Sequence, residues 1–152
     1  MSSLPFSSIR EFIRFVEHCI RHPYRPVSYS SLGKLIRELY SIAYTVFPDR
    51  SLSFYVRSVV RCFFVDEISE GHYIVRGLRE FGDHYPTYHV FYFPRERRYR
   101  CECQLRLYGY VRRICTHIGA VAIYRRVIQD VDIANRFFKW CELVRKSVQL
   151  PC

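Results

Sequence analysis

Two pairs of soft ligands stand close together in this chain: Cys101 and Cys103, then, after eleven intervening residues, Cys115 and His117. Three thiolates and one neutral imidazole are a donor set that Zn²⁺ takes in a closed tetrahedral site, with metal–sulfur bonds of about 2.3 Å and metal–nitrogen bonds of about 2.0 to 2.1 Å. Polar and apolar residues alternate here, which predicts a strand. Tyr99, Cys101, Cys103, Leu105 and Leu107 share one face, and Arg98, Arg100, Glu102, Gln104 and Arg106 share the other. Residues two apart on an extended strand have Cα atoms about 6.5 to 7 Å apart, so Cys101 and Cys103 are poor disulfide partners for each other. A bridge from Cys115 to either would leave a spare thiol. Cys115 also falls at the mouth of a predicted helix among arginines, where thiolates are stabilised. The second nitrogen of His117 needs an acceptor, which the spacing does not identify.

The elements that must position these four side chains can be read from periodicity. Ser8, followed by Glu11 three places on, predicts a capping box ahead of a helix whose face is Ile9, Phe12, Ile13, Val16 and Ile20. Ser30 and Ser31 open a second helix with Leu32, Leu35, Ile36, Leu39, Ala43 and Val46 on its apolar side. A third starts at Asp49 or Ser51, with Leu52, Val56, Val59 and Phe63 inward and Arg50, Arg57 and Arg61 as a solvent-side stripe. A strand over Val59 to Val65 competes with that reading. Strands are predicted at His72 to Arg76 and Thr87 to Phe93, and a turn at Pro94 to Arg97. Tyr108-Gly109-Tyr110 reads as another turn. A small-residue helix then begins near Cys115, with His117, Ala120, Val121, Tyr124 and Ile128 along one side, and a last helix from about Asp132 aligns Ile133, Phe137, Trp140, Cys141, Val144 and Val148. The expected class is α+β, in three pieces: a helical segment 1–66, a zinc-binding module 67–129 with a small antiparallel sheet, and a C-terminal helix 130–152 packing back on the core.

The pattern Cys101-Glu102-Cys103, an eleven-residue spacer, then Cys115-Thr116-His117 leading into Ile118-Gly119-Ala120, resembles the SWIM zinc finger. Two preceding strands with Tyr73, Val75, Tyr88 and Val90 extend the likeness over about residues 70 to 128. The resemblance implies a structural zinc ion, and roles in DNA binding or in protein contacts within recombination, transposition and chromatin-related assemblies. The chain is short and carries no transposase or helicase segment beside the finger. Three helices and a hairpin would also suit a winged-helix reader with the Arg50, Arg57, Arg61 helix in the groove.

Charge points to the class of partner. The net charge is +10, and of 24 basic residues only Lys34, Lys139 and Lys146 are lysine. Arginine offers a bidentate fork for phosphate and a flat face for stacking, although a GC-rich or heat-adapted genome would produce the same skew. Nine arginines from Arg95 to Arg126 against Glu96 and Glu102 leave a net +7 beside the cysteines. Arg98, Arg100, Arg106, Arg112, Arg113, Arg125 and Arg126 are the candidate phosphate contacts, and Tyr108 a candidate base-stacking residue. The expected partner is nucleic acid, DNA first. A protein partner in a recombination or transcription complex is the alternative, with Phe63, Phe64, Phe91 and Phe93 as docking residues if exposed.

No apolar run reaches membrane-spanning length and no signal-peptide core is present, so an intracellular protein is expected, at the nucleoid in a prokaryote, with no membrane partner. In a reducing compartment seven cysteines should be thiols or metal ligands. Cys19, Cys62 and Cys141 read as buried thiols and Cys152 as exposed. No enzyme is expected: the four zinc positions are filled by protein, no Gly-rich phosphate loop or carboxylate pair stands out, and Asp83-His84 and His89 read as a surface loop and a packed strand histidine.

Overall fold

The computed structural model describes residues 5–103 and 114–148. Among these residues the α+β class is observed, with five helices and four strands in the order α1 (Ile9–Arg21), α2 (Ser30–Val46), α3 (Leu52–Cys62), β1 (Val65–Ser69), β2 (His72–Arg76), β3 (Thr87–Phe93), β4 (Arg98–Cys101), α4 (Thr116–Val127) and α5 (Val131–Val148). A single 3-10 turn spans Arg79–Phe81. The strands form one antiparallel sheet in chain order, β1-β2-β3-β4.

Helix α1 begins as its capping residues dictate: Ser8 Oγ accepts from Glu11 N at 3.2 Å. The Glu11 carboxylate closes the box one residue early, accepting from Ser7 N at 3.1 Å and from the Ser7 hydroxyl. Helix α3 begins at Ser51, whose Oγ accepts from Phe54 N at 3.1 Å. It continues through Cys62, which excludes the competing strand over Val59 to Val65.

The surroundings of α3 overturn the predicted solvent-side stripe. Phe54, Tyr55, Val56, Ser58, Val59, Val60, Arg61 and Cys62 are all buried, because α1, α2 and α4 pack around this helix and β2 meets it as well. Arg61 is 2% exposed, so the basic stripe of a groove-reading helix is not formed. The tightest approach is to α4. A Cβ placed on Gly119 would sit 2.2 Å from Ser58 Oγ, so the lack of a side chain there lets α4 sit close against α3.

Strand β1 lies where the sequence suggested only a boundary. It is an edge strand with one buried residue, Val65, and a bulge between Glu67 and Ser69, so it lacks the alternation that marks a strand in sequence. Strands β2 and β3 alternate as expected, with Tyr73, Val75, Tyr88 and Val90 inward. Val90 stands opposite both Tyr73 and Cys101, which places Cys101 against the core. Among the described residues the predicted strand stops early: β4 ends at Cys101 and the backbone at Glu102 and Cys103 is helical. Leu105, Leu107 and the Tyr108 to Tyr110 turn lie outside the described residues.

Helix α4 ends at Val127, leaving Ile128, expected on its buried side, 39% exposed. Helix α5 docks through Phe137, Cys141, Val144 and Val148. Its Arg145 caps the end of α3, donating from Nε to Phe63 O at 2.7 Å and from Nη2 to Val65 O at 3.0 Å. One hydrophobic core runs from Phe6 to Val148 and draws on all three sequence segments. Among the described residues no helix is long and apolar enough to cross a membrane.

Candidate metal centre

Cys101, Cys103, Cys115 and His117 converge. One ligand atom from each lies within 4.8 Å of the others, and Cys101, Cys103 and His117 are buried. The helical turn after β4 brings Cys103 back beside Cys101, with their Sγ atoms 3.2 Å apart and unbonded. A tetrahedral ion with metal–sulfur bonds of about 2.3 Å sets sulfurs about 3.8 Å apart, a separation between the 3.2 Å of this pair and the 4.8 Å that bounds the whole cluster. Cys115 is the N-cap of α4, and its Sγ accepts from Ile118 N at 3.4 Å. The i and i+2 spacing therefore places one ligand at the helix cap and the next on its first turn.

The electrostatics of the cluster favour a cation. Hydrogen bonds from Cys101 and Cys103 lead the effects that hold Cys115 well below the usual thiol range, although burial opposes this. Hydrogen bonding to Cys103 and Cys115, with burial, drives Cys101 well above it, since a second buried thiolate beside the first is disfavoured. A divalent ion removes that conflict by giving the anionic sulfurs a common counter-charge.

His117 is held on two sides. Its ring stacks on Tyr88 with centroids 4.2 Å apart, and its Nε2 lies 3.3 Å from Asp83 Oδ1. That is ion-pair distance, outside good hydrogen-bond geometry, and Nδ1 has no hydrogen-bond partner among the described residues. A buried ring nitrogen without a partner, in a cluster of sulfurs, is placed as a metal ligand would be. The four residues fit a metal ion and could hold one.

Asp83 supplies the acceptor that spacing did not identify, and it corrects the surface-loop reading. Its side chain is 7% exposed and paired with Arg61, Nη1 on Oδ2 and Nη2 on Oδ1. Leu78 N donates to Oδ2 at 2.8 Å. Burial opposes ionisation of Asp83, but its close contacts with His117 and the Arg61 guanidinium outweigh it and hold the carboxyl well below the usual carboxylate range. Arg61 Nε also donates to Thr116 Oγ1 at 2.8 Å, between the two ligands of α4. Arg61 thus ties the central helix, the Asp83 loop and the start of α4 into one buried network. The loop is pinned at its base, where Gly77 N donates to Pro86 O at 2.7 Å and a Cβ on Gly77 would meet Tyr85 O at 1.9 Å.

The candidate nucleic-acid residues divide. Arg98 and Arg100 are exposed on the outward face of β4, away from Cys101, as expected. Arg125 is half-buried on the other side of the sheet. Its guanidinium lies 3.4 Å from the Tyr92 ring centroid and donates to Tyr99 Oη at 3.1 Å, so it clamps α4 to the sheet. Arg126 is exposed on α4. Arg106, Tyr108, Arg112 and Arg113 lie outside the described residues. Phe63 and Phe64 are buried, whereas Phe91 and Phe93 are 36% and 41% exposed. His89, read as a packed strand histidine, is half-buried with its ring Nδ1 2.8 Å from His72 Nε2.

Compared with protein-family models, curated proteins and solved structures, the chain shows no match to any of them.

Proposed function

We propose that the chain is a zinc-stabilised nucleic-acid-binding protein, built around a SWIM-like module and acting without catalysis. The observation that carries the metal half is the convergence of Cys101, Cys103, Cys115 and His117 around an imidazole nitrogen with no hydrogen-bond partner among the described residues. Zinc is the ion proposed because three thiolates and an imidazole suit it, and four protein ligands leave no open position for a substrate or reactive water. The ion's role is then structural. It would join the end of β4 to the start of α4, beside the Arg125–Tyr99 contact that already links these two elements.

The nucleic-acid half rests on the +10 charge, on its concentration from Arg95 to Arg126, and on Arg98 and Arg100 on an exposed strand face. DNA is the polymer proposed, following the resemblance. Binding of a fluorescent oligonucleotide, followed by anisotropy, should weaken steeply between about 50 and 200 mM salt. Replacing Arg98 and Arg100 by alanine should lower affinity and flatten the salt slope while the fold is kept. Unchanged binding in that variant would remove this reading. Exposed Phe91 and Phe93 favour a second one, an adaptor that docks a protein of a recombination or transcription assembly. Salt-insensitive retention of a protein partner, with no binding to DNA, would select it.

A further inference from the structure

The outward face of the sheet carries more than arginines. Pleating places His72, Ile74 and Arg76 of β2, Thr87, His89, Phe91 and Phe93 of β3, and Arg98 and Arg100 of β4 on that face. The inward residues Tyr73, Tyr88 and Tyr92 are taken by α4, through Tyr124, His117 and Arg125. Among the described residues no helix packs on the outward rings, and Phe91 and Phe93 are 36% and 41% exposed. His72 stacks on Phe91 with centroids 4.5 Å apart and planes 18° apart, and His89 lies parallel to Phe91 at 6.5 Å and 17°. His72 and His89 in turn lie 5.0 Å apart with planes tilted by 31°, so the three rings form one aromatic cluster, at which Phe91 is 36% exposed.

The register sets cations beside these rings. Phe91 stands directly opposite Arg100, and Phe93 directly opposite Arg98. Side chains so paired have Cβ atoms about 4.5 to 5.5 Å apart, so each exposed ring has an arginine as its cross-strand neighbour. Phe91 and Phe93 are themselves two residues apart, about 6.6 Å along the strand. That is the reach of one extended nucleotide. The far edge carries the acidic Asp66, but Arg145 engages it at 3.0 Å.

We infer that this face binds single-stranded nucleic acid, stacking successive unpaired bases on Phe91 and Phe93 while Arg100 and Arg98 take the adjoining phosphates. The inference rests on the nucleic-acid reading above and deepens it by naming the strand state. A duplex keeps its base faces stacked inside, so it could use the arginines but not the rings. An unpaired base offers a π-face to any aromatic platform, whatever its identity. An acidic protein would meet the same arginines, yet it has no use for two exposed aromatic rings spaced one nucleotide apart.

The test compares fluorescein-labelled oligothymidylate with a mixed-sequence duplex of equal length, by anisotropy over about 50 to 200 mM salt. Wild type should bind the single strand more tightly. Phe91→Ala and Phe93→Ala should each cost roughly tenfold in single-strand affinity, leave the salt slope unchanged and barely affect duplex binding. Arg100→Ala should instead flatten the slope for both ligands. Phe91→Leu keeps the buried edge of the ring filled and should lose affinity as Phe91→Ala does, which guards against a folding artefact. Ultraviolet crosslinking of wild type to oligothymidylate should attach to a peptide containing β3 or β4. A wild type that binds neither ligand would sink the nucleic-acid reading itself. Equal or tighter duplex binding, or phenylalanine variants that bind the single strand normally, would overturn the stacking platform alone. Phenylalanine variants that lose only an acidic protein partner would do the same.

Discussion

Removing Asp83 perturbs the proposed centre without touching a ligand. In Asp83→Ala, Arg61 keeps its charge at 2% exposure but loses its bidentate partner, Leu78 N loses its acceptor, and His117 Nε2 loses its nearest one. Breaking a buried ion pair from one side costs about 3 to 5 kcal/mol, because the remaining charge is stranded. Against a typical domain stability of about 5 to 15 kcal/mol, that is a large share. Urea denaturation of the metal-loaded protein should register it as a lower midpoint. Losing the residue that orients a metal-bound imidazole typically weakens metal binding by about 10- to 100-fold, measurable by competition with a chromophoric chelator. The double variant Asp83→Ala/Arg61→Met separates the two effects. It should recover much of the stability, since no unpaired charge remains, but none of the metal affinity. An Asp83→Ala protein within about 1 kcal/mol of wild type and with normal metal affinity would refute the argument, since a stranded buried charge must cost more.

Other consequences can be tested alongside. Gly77→Ala would set a methyl group against Tyr85 O, so the loop must shift and Asp83 with it; reduced metal affinity and a lower unfolding midpoint are expected, and wild-type values for both would contradict the positioning role. Arg125→Ala should cost about 1 to 2 kcal/mol by losing its contact with Tyr92 and Tyr99, yet leave oligonucleotide affinity nearly unchanged, in contrast to Arg100→Ala. Thiolates and imidazole bind metal only when deprotonated, so acid competes for the ligands and the metal-dependent stability should drain away as pH falls, with zinc release followed by a chromophoric indicator. Release that does not depend on pH would argue against cysteine and histidine ligation.

Periodicity carried much of this fold. The helices α1, α2 and α5 each bury one clean stripe, and β2 and β3 alternate strictly, so their signals survive in one dimension. Helix α3 was legible as a helix but not in its surroundings, because a central helix buries Ser58 and Arg61 as well as its apolar face. Charge alone marked Arg61 for solvent. Its partner Asp83 lies 22 residues on and Thr116 lies 55 on, and no local pattern links such distant positions. Strand β1 was missed because an edge strand with a bulge has no alternation to read. The four sulfur and nitrogen donors were legible because ligand spacing is a local property. Their pleat was misread, since Cys103 arrives through a helical turn rather than a continued strand. Arg125 and Arg126 are sequence neighbours, but only Arg125 meets Tyr92 and Tyr99, and that distinction needs three dimensions.

The central claim is that one ion is held by Cys101, Cys103, Cys115 and His117. Elemental analysis of the purified protein beside Cys103→Ser and His117→Ala tests it most directly. One zinc ion per chain is expected in the wild type, with stoichiometric metal lost in both variants and their unfolding midpoints lowered. Metal-free wild type, or full zinc retained in either variant, would contradict it.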